Sequence, residues 1–430
     1  MRGKANFTLI VANRVDDLYE KYPINTHTWI PPQFPIGAAS IGAFLESQGF
    51  DVTIFDNYLH KEPPEVVAEK ILANRPSCVG ISVNSLTILD GLKLAKEIKR
   101  LEPGCWIVMG GPHATLFPER TLADENVDYV VVGEGEYALR DLLRSLDGPA
   151  RPGEGKKIIR AQRIDNLDDL PMPARHLTEF ELYDRSFEVV KQIQPADMLA
   201  SSRGCPFSCS FCSSSRLWGR QYRTRSALRV LEEVKTLLSV YDSKAFYFRE
   251  DNFTCNRQHV EDICNALIAE GINIPWECES RVDTLDLKLI RLMRKAGCAS
   301  IWFGIESGSQ RILNKISKGI TTDQARRVFA WCREEGIKTG AMFMIGFPDE
   351  TYEEMMMTRD FALELAPNLA SVSVYVGYPH SPLYQYYLEN GLVETRSGDI
   401  LIVGNNNFSF AELAKIEADI NKIFSQAGML

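Results

Sequence analysis

The sequence predicts an α/β fold in two parts: an N-terminal doubly wound parallel sheet, then a partial (β/α)6 barrel with a short helical C-terminal tail. Short apolar runs alternate with stretches of helical periodicity along nearly the whole chain. The runs are continuous and rich in Val and Ile, as in strands covered on both faces. A break rich in Gly, Pro and mixed charge falls near residue 150.

In order, FTLIVA, DVTIFD, SCVGISV, CWIVMGG and DYVVVG read as five strands. The helices between them include IGAASIGAFLESQG, closed by Gly49, PPEVVAEKILANR with Pro64 in its first turn, and LDGLKLAKEIKRLEPG, stopped by Pro103 and Gly104. Such βα repeats build a doubly wound sheet over residues 1–147. Residues 148–190 are expected to be a linker with one short edge strand. From Met198 the runs MLASS, AFYF, IPWEC, SIWFGI, TGAMFMIG and SVSVYV, each followed by a helical stretch, predict an incomplete barrel over 191–385. The tail, 386–430, contains one clear amphipathic helix, AELAKIEADINKIFSQ.

With 430 residues, 45% of them hydrophobic, the chain can fill the cores of two domains. Its net charge of −9 gives no attraction to phosphate backbones or anionic lipid, which argues against nucleic acid and membrane partners. No apolar run approaches the roughly 18 residues that span a bilayer, and MRGKANFTLIVANRVDD lacks a signal-peptide pattern, so a cytoplasmic protein is expected. Ten cysteines, mostly inside apolar runs, fit a reducing compartment.

Three cysteines stand apart. SRGCPFSCSFC sets Cys205, Cys209 and Cys212 at C-x3-C-x2-C just after the first strand of the second domain. A short loop turned by Gly204 and Pro206 can aim three thiolates at one centre, which suits soft iron or zinc. A closed zinc site needs four ligands, and no second C-x2-C or neighbouring His completes this one. A cubane iron–sulfur cluster held by three cysteines keeps one iron open to a substrate or cofactor.

This loop, with Phe211 just before the last Cys, resembles that of the radical S-adenosylmethionine (SAM) superfamily. FYFREDNFTCNR, WECESRVDTLD, RKAGCASIWFGIESGSQRIL, GIKTGAMFMIGFPDET and GYPHSPLY resemble the strand-end motifs of the branch with an N-terminal cobalamin (B12)-binding domain. The resemblance implies a [4Fe-4S] cluster on Cys205, Cys209 and Cys212 whose open iron chelates SAM. An electron then splits SAM to a 5′-deoxyadenosyl radical that abstracts hydrogen from a small organic substrate. It also implies SAM contacts at Phe211, Glu250, Asp251, Arg281, Glu306, Ser307 and Ile345, Arg281 facing the SAM carboxylate. Tyr222, Cys255, Tyr375 and Tyr378 are candidates to give or take a hydrogen atom. A reducing partner such as flavodoxin or ferredoxin would supply the electron.

In the first domain, Gly110, Gly111 and His113 of GGPHAT and Gly133, Glu134 and Gly135 of VVGEGEYAL follow strands and introduce helices. Alone, these turns name no ligand. Their order resembles the corrinoid-binding module of the same branch, so cobalamin is the implied third cofactor. No His has Gly three residues later, so the D-x-H-x-x-G lower-ligand motif is missing. The arginines of SRLWGRQYRTR are expected to be structural or to meet an anionic substrate group, not RNA. Cobalamin-dependent methylation of an unactivated carbon is the first activity implied. Radical dehydration or deoxygenation, as of an aminosugar diol, or cyclisation with the corrinoid domain a spectator or empty, is the second.

Overall fold

Each Val- and Ile-rich run of the N-terminal part forms a strand, because a sheet covered on both faces offers such side chains burial on either side. The computed structural model describes residues 6–13, 33–146, 156–186, 193–397 and 399–429. The chain divides into two units, one reaching Asp184 and one running on from Arg185. In the first, β1 (Asn6–Val11), β2 (Asp51–Asp56), β3 (Cys78–Ser82), β4 (Trp106–Gly110), β5 (Tyr129–Val132) and β6 (Lys157–Arg160) form one sheet ordered β2-β1-β3-β4-β5-β6. All pairings are parallel.

The sheet has a helical layer on each side. Ile10, Val79, Ile81 and Ile107 bury with helices Pro64–Leu72 and Ile88–Leu101; Phe7, Leu9 and Val108 bury with Ile36–Ser47 and Gly135–Ser145. Each such side chain contributes about 1.5–3 kcal/mol. The edge strand expected in the linker segment is present, and part of the segment after it docks on this unit. β6 adds an edge strand to β5, and Ile164, Leu167 and Leu170 bury against Phe44. Their apolar spacing is easily overlooked among charged neighbours. Residues 148–155 and 187–190 of that segment lie outside the described residues.

The second unit has β7 (Ala196–Leu199), β8 (Ser202–Arg203), β9 (Arg223–Thr224), β10 (Ala245–Phe248), β11 (Trp276–Ser280), β12 (Cys298–Glu306), β13 (Lys338–Ile345) and β14 (Leu369–Val374). Six of these form a parallel sheet ordered β14-β13-β12-β11-β10-β7, with β7 and β14 at its edges. Every C-terminal strand end therefore lies along one rim, where parallel barrels carry their chemistry. Helices return the chain between strands, with Ser226 capping Ala227–Val240 and Asp286 capping Leu287–Lys295.

The tail holds more than the expected helix. β15 (Val393–Ser397) and β16 (Ile400–Val403) form an antiparallel hairpin, and Leu401 and Val403 enter a core with Phe347, Tyr375 and Tyr387. The last helix, Phe410–Gln426, opens on a capping box between Ser409 and Glu412. It lies along β14 and satisfies the outward N–H groups of that edge. Val372 N–H donates to Asn421 Oδ1 (3.1 Å), Asn421 Nδ2 donates back to Val372 O (2.9 Å), and Ala370 N–H donates to Met429 O (2.7 Å). Glu417, one turn before Asn421, accepts from Val374 N–H. Among the described residues no helix is long and apolar enough to cross a membrane.

Glu417 carries a pH signature. Its Oε2 is buried with no hydrogen-bond partner among the described residues, and desolvation pushes its carboxyl from 4.5 up to about 7. Between those values the unfolded chain has lost the proton that the folded chain keeps, so this group's contribution to stability falls as pH rises through the window. Glu417→Gln retains an acceptor for Val374 and removes the titration. Urea unfolding should show the variant gaining about 2.5 kcal/mol on wild type between pH 5 and pH 8. Equal pH slopes in the two proteins would contradict this.

Candidate active site

The cysteine loop begins where β7 ends. β8 pairs with β9 in register Ser202↔Thr224 and Arg203↔Arg223, and this two-residue ladder closes the base of the loop. Gly204 follows at φ +95°, where a Cβ would lie 2.2 Å from Gln221 O, so only glycine fits. Cys212 N–H donates to Cys209 O at 3.2 Å, while Ser210 N–H donates to Ile316 O and Ser210 O accepts from Leu383 N–H, both at 2.9 Å. The loop is thereby pinned to the chain segments that follow β12 and β14.

Cys205, Cys209 and Cys212 are free and half-buried. Desolvation pushes the Cys205 thiol up to about 11. It raises Cys209 as well, against the pull of Lys318 and Arg281. Cys212 Sγ accepts from Ser214 N–H at 3.4 Å. Among the described residues, no three His, Cys, Asp or Glu side chains converge as a mononuclear metal site would need. Ligands to separate irons of a cubane need not converge. The loop fits a [4Fe-4S] group: its three thiols are unpaired, two cations flank it, and the buried Ser210 hydroxyl has no partner among the described residues.

Along the rim, the end of β11 brings Arg281 to the loop. Its Nη1 donates to Cys209 Sγ at 3.5 Å, and its guanidinium lies 3.8 Å from the Phe207 ring centroid. Asp283 receives Nε and Nη2 at 2.9 and 2.8 Å. The expected clamp on a SAM carboxylate thus has its two-pronged edge occupied.

At the end of β12, Glu306 has φ +72°, a costly conformation for a residue with Cβ and one that gathers at functional sites. The β12–β13 register shifts between Gly304 and Glu306. Glu306 Oε1 forms a buried ion pair with Lys318 Nζ at 2.7 Å, and this carboxylate lies 2.5 Å from where a Gly304 Cβ would stand. Ser307 is wholly buried, 3.2 Å from Thr358 Oγ1, and accepts from Ser309 N–H.

Glu250, two residues past the end of β10, accepts from Ser201 N–H and Oγ–H at 2.8 Å each and from Ser202 Oγ–H. Desolvation pushes it up to about 7. Ser201 Oγ also meets His259 Nε2 at 2.8 Å, and burial holds His259 down to about 4, hence neutral near pH 7. Asp251 is exposed and accepts from Ser214 Oγ–H at 3.1 Å. Tyr222 Oη donates to Phe253 O at 3.3 Å, and burial pushes its phenol up. Cys255 is half-buried and pushed up to about 12.

Other expected residues face inward. Tyr375 is 2% exposed and stacks on Tyr387 (5.4 Å) within the core, which makes it a packing residue, whereas Tyr378 is 45% exposed. Ile345 is wholly buried at the end of β13. Phe211 packs on Phe347 (6.2 Å) with Lys318 above its ring (5.8 Å). Arg225 of the basic stretch forms a buried ion pair with Glu233, which is a structural role. Sequence reasoning missed Lys318, Asp283, Phe207, Ser201 and His259. Only Asp283, beside Arg281 in SRVD, carried a local signal.

In the first unit, Gly111 and Gly133 both take φ +92°; a Cβ on Gly111 would lie 2.7 Å from Val83 O. Gly110 closes β4, and Gly135 opens the helix after β5. Glu134 turns inward, accepting from Ile164 N–H at 2.8 Å. His113 is 2% exposed with its ring against Phe117, so it is not presented to a ligand at the surface. A corrinoid at this edge would meet glycine backbone more than these two side chains.

Residues 199–362 match the family model described as the Radical SAM superfamily, and residues 31–143 that of the B12 binding domain. The chain is 34% identical to the uncharacterized methyltransferase PH0819 of Pyrococcus horikoshii, over 84% of this chain and 80% of that protein. It is 28% identical to the anaerobic magnesium-protoporphyrin IX monomethyl ester cyclase of Rubrivivax gelatinosus, over 82% of this chain and 66% of the cyclase. Its fold is similar to that of the radical SAM methyltransferase TsrM from Kitasatospora setae, solved with cobalamin and a [4Fe-4S] cluster. The TM-score is 0.72 at 19% identity, over 96% of this chain and 85% of that one.

Proposed function

Since the chain belongs to the radical SAM superfamily, in the branch with a B12-binding domain, we propose that it methylates an unactivated carbon of a small organic substrate. Its cofactors are a [4Fe-4S] cluster, SAM and cobalamin. When bound, they supply an electron, a 5′-deoxyadenosyl radical and a transferable methyl group. Three free cysteines, in a loop clamped at the C-terminal rim of a six-stranded parallel sheet, carry the reading. Cys205, Cys209 and Cys212 would hold the cluster, and Arg281 and Lys318 offset the charge of its thiolates. Glu250, pushed up to about 7 and fixed by Ser201 and Ser202, is about half protonated near pH 7 and can hold or release a proton beside the loop. Phe207, Phe211 and Phe347 present apolar surface that limits water there.

A second reading, radical cyclisation without methyl transfer, is favoured by the likeness to the Rubrivivax cyclase. Methyl-deuterated SAM separates the two. Anaerobically reconstituted protein, given a reductant, this SAM and a small-molecule extract, should place a labelled methyl group in a product. Formation of 5′-deoxyadenosine with substrate consumed but no label incorporated would overturn methylation in favour of cyclisation.

A further inference from the structure

We propose that Arg281 is a positioning residue that sets the reduction potential of the cluster through Cys209, with Asp283 as the opposing control. This rests on the reading of Cys205, Cys209 and Cys212 as cluster ligands. A guanidinium has five N–H groups in a fixed planar fork. Here Nε and one Nη2 hydrogen go to Asp283, the second Nη2 hydrogen to Lys318 O, and one Nη1 hydrogen to Cys209 Sγ. One N–H remains, too few to grip a carboxylate with two prongs. The group is 5% exposed and lies over the ring of Phe207, which belongs to the cysteine loop itself. It is therefore fixed from three sides with one edge on a ligand sulfur.

One-electron reduction of a [4Fe-4S] cluster from the 2+ to the 1+ state adds negative charge that spreads over the ligand sulfurs. A buried N–H donor to such a sulfur, and a positive charge behind it, stabilise the reduced state and raise the potential. Asp283 acts in the other direction, because its carboxylate offsets most of the positive charge of Arg281. Lys318 with Glu306 repeats the arrangement beside the same cysteine. The two pairs let the loop bear cations near the cluster while each cation stays paired, as buried charge requires.

The test is an EPR-monitored redox titration, with dithionite and mediators and without SAM, of anaerobically reconstituted full-length protein. Arg281→Gln should make the cluster about tenfold harder to reduce, which is a shift of about 59 mV to lower potential for one electron. Asp283→Asn, which leaves Arg281 charged and unopposed, should shift it the other way. Opposite shifts at unchanged iron and sulfide content support the assignment, since a merely structural pair would not reverse sign. Unchanged potentials, shifts of one sign, or weaker SAM binding by Arg281→Gln at wild-type potential overturn it. If Arg281→Gln does not retain the cluster, the sign of the Asp283→Asn shift decides. Absence of a [4Fe-4S] signal from the wild-type protein would be a different failure, that of the cluster reading itself.

Discussion

Cys209→Ala should abolish SAM cleavage and leave the chain without its cluster. The loss is complete because a three-cysteine cluster has no spare protein ligand, and among the described residues no other side chain shares the loop's anchorage through Ser210 to Ile316 and Leu383. Cys205→Ala and Cys212→Ala are expected to behave alike. The comparison that gives the result meaning is Cys332→Ala. Cys332 is wholly buried in the second unit, away from the rim, and should cost on the order of 1 kcal/mol while the iron stays bound. Iron and sulfide quantification, with chromatography of 5′-deoxyadenosine, reads both effects. Wild-type iron in Cys209→Ala would sink the assignment of the loop.

Lys318→Met should destabilise the second unit by about 3–5 kcal/mol, because it leaves Glu306 buried with no counter-charge. Both partners are about 6% exposed, so little solvent screens the pair. Gly304 brings the carboxylate down over β12, and the left-handed backbone at Glu306 fixes it there. The carboxylate therefore has little room to relax towards water. Adding Glu306→Gln should restore most of the loss, and urea unfolding of the four proteins closes the cycle. Additive losses would mean that the pair is not coupled.

How much could be seen beforehand depended on how local the signal was. The strands were legible because β3 and β4 are unbroken apolar runs that only two-sided burial explains. The three cysteines were legible from spacing alone. The tail hairpin was not: VETRS reads as a polar loop, and ILIV buries only because β15 turns it back onto Phe347 and Tyr375. Lys318 was also hidden, since SKGIT looks like a solvated turn until β12 sets Glu306 beside it. Arg281 could be read as a strand-end residue, but the sequence could not show that Asp283 and Cys209 engage its hydrogens. Pairings made across the fold escape a reading that proceeds along the chain.

The last helix has a consequence for solubility. An open row of strand hydrogen-bonding groups is a template for another molecule's strand and a route to aggregation. In this protein Asn421 imitates a seventh strand at Val372, both giving and taking a hydrogen bond, while Glu417 and the Met429 carbonyl cover the positions on either side. The sheet thus stops at six strands without presenting β14 to other chains, and detaching that helix would turn a finished edge into an adhesive one.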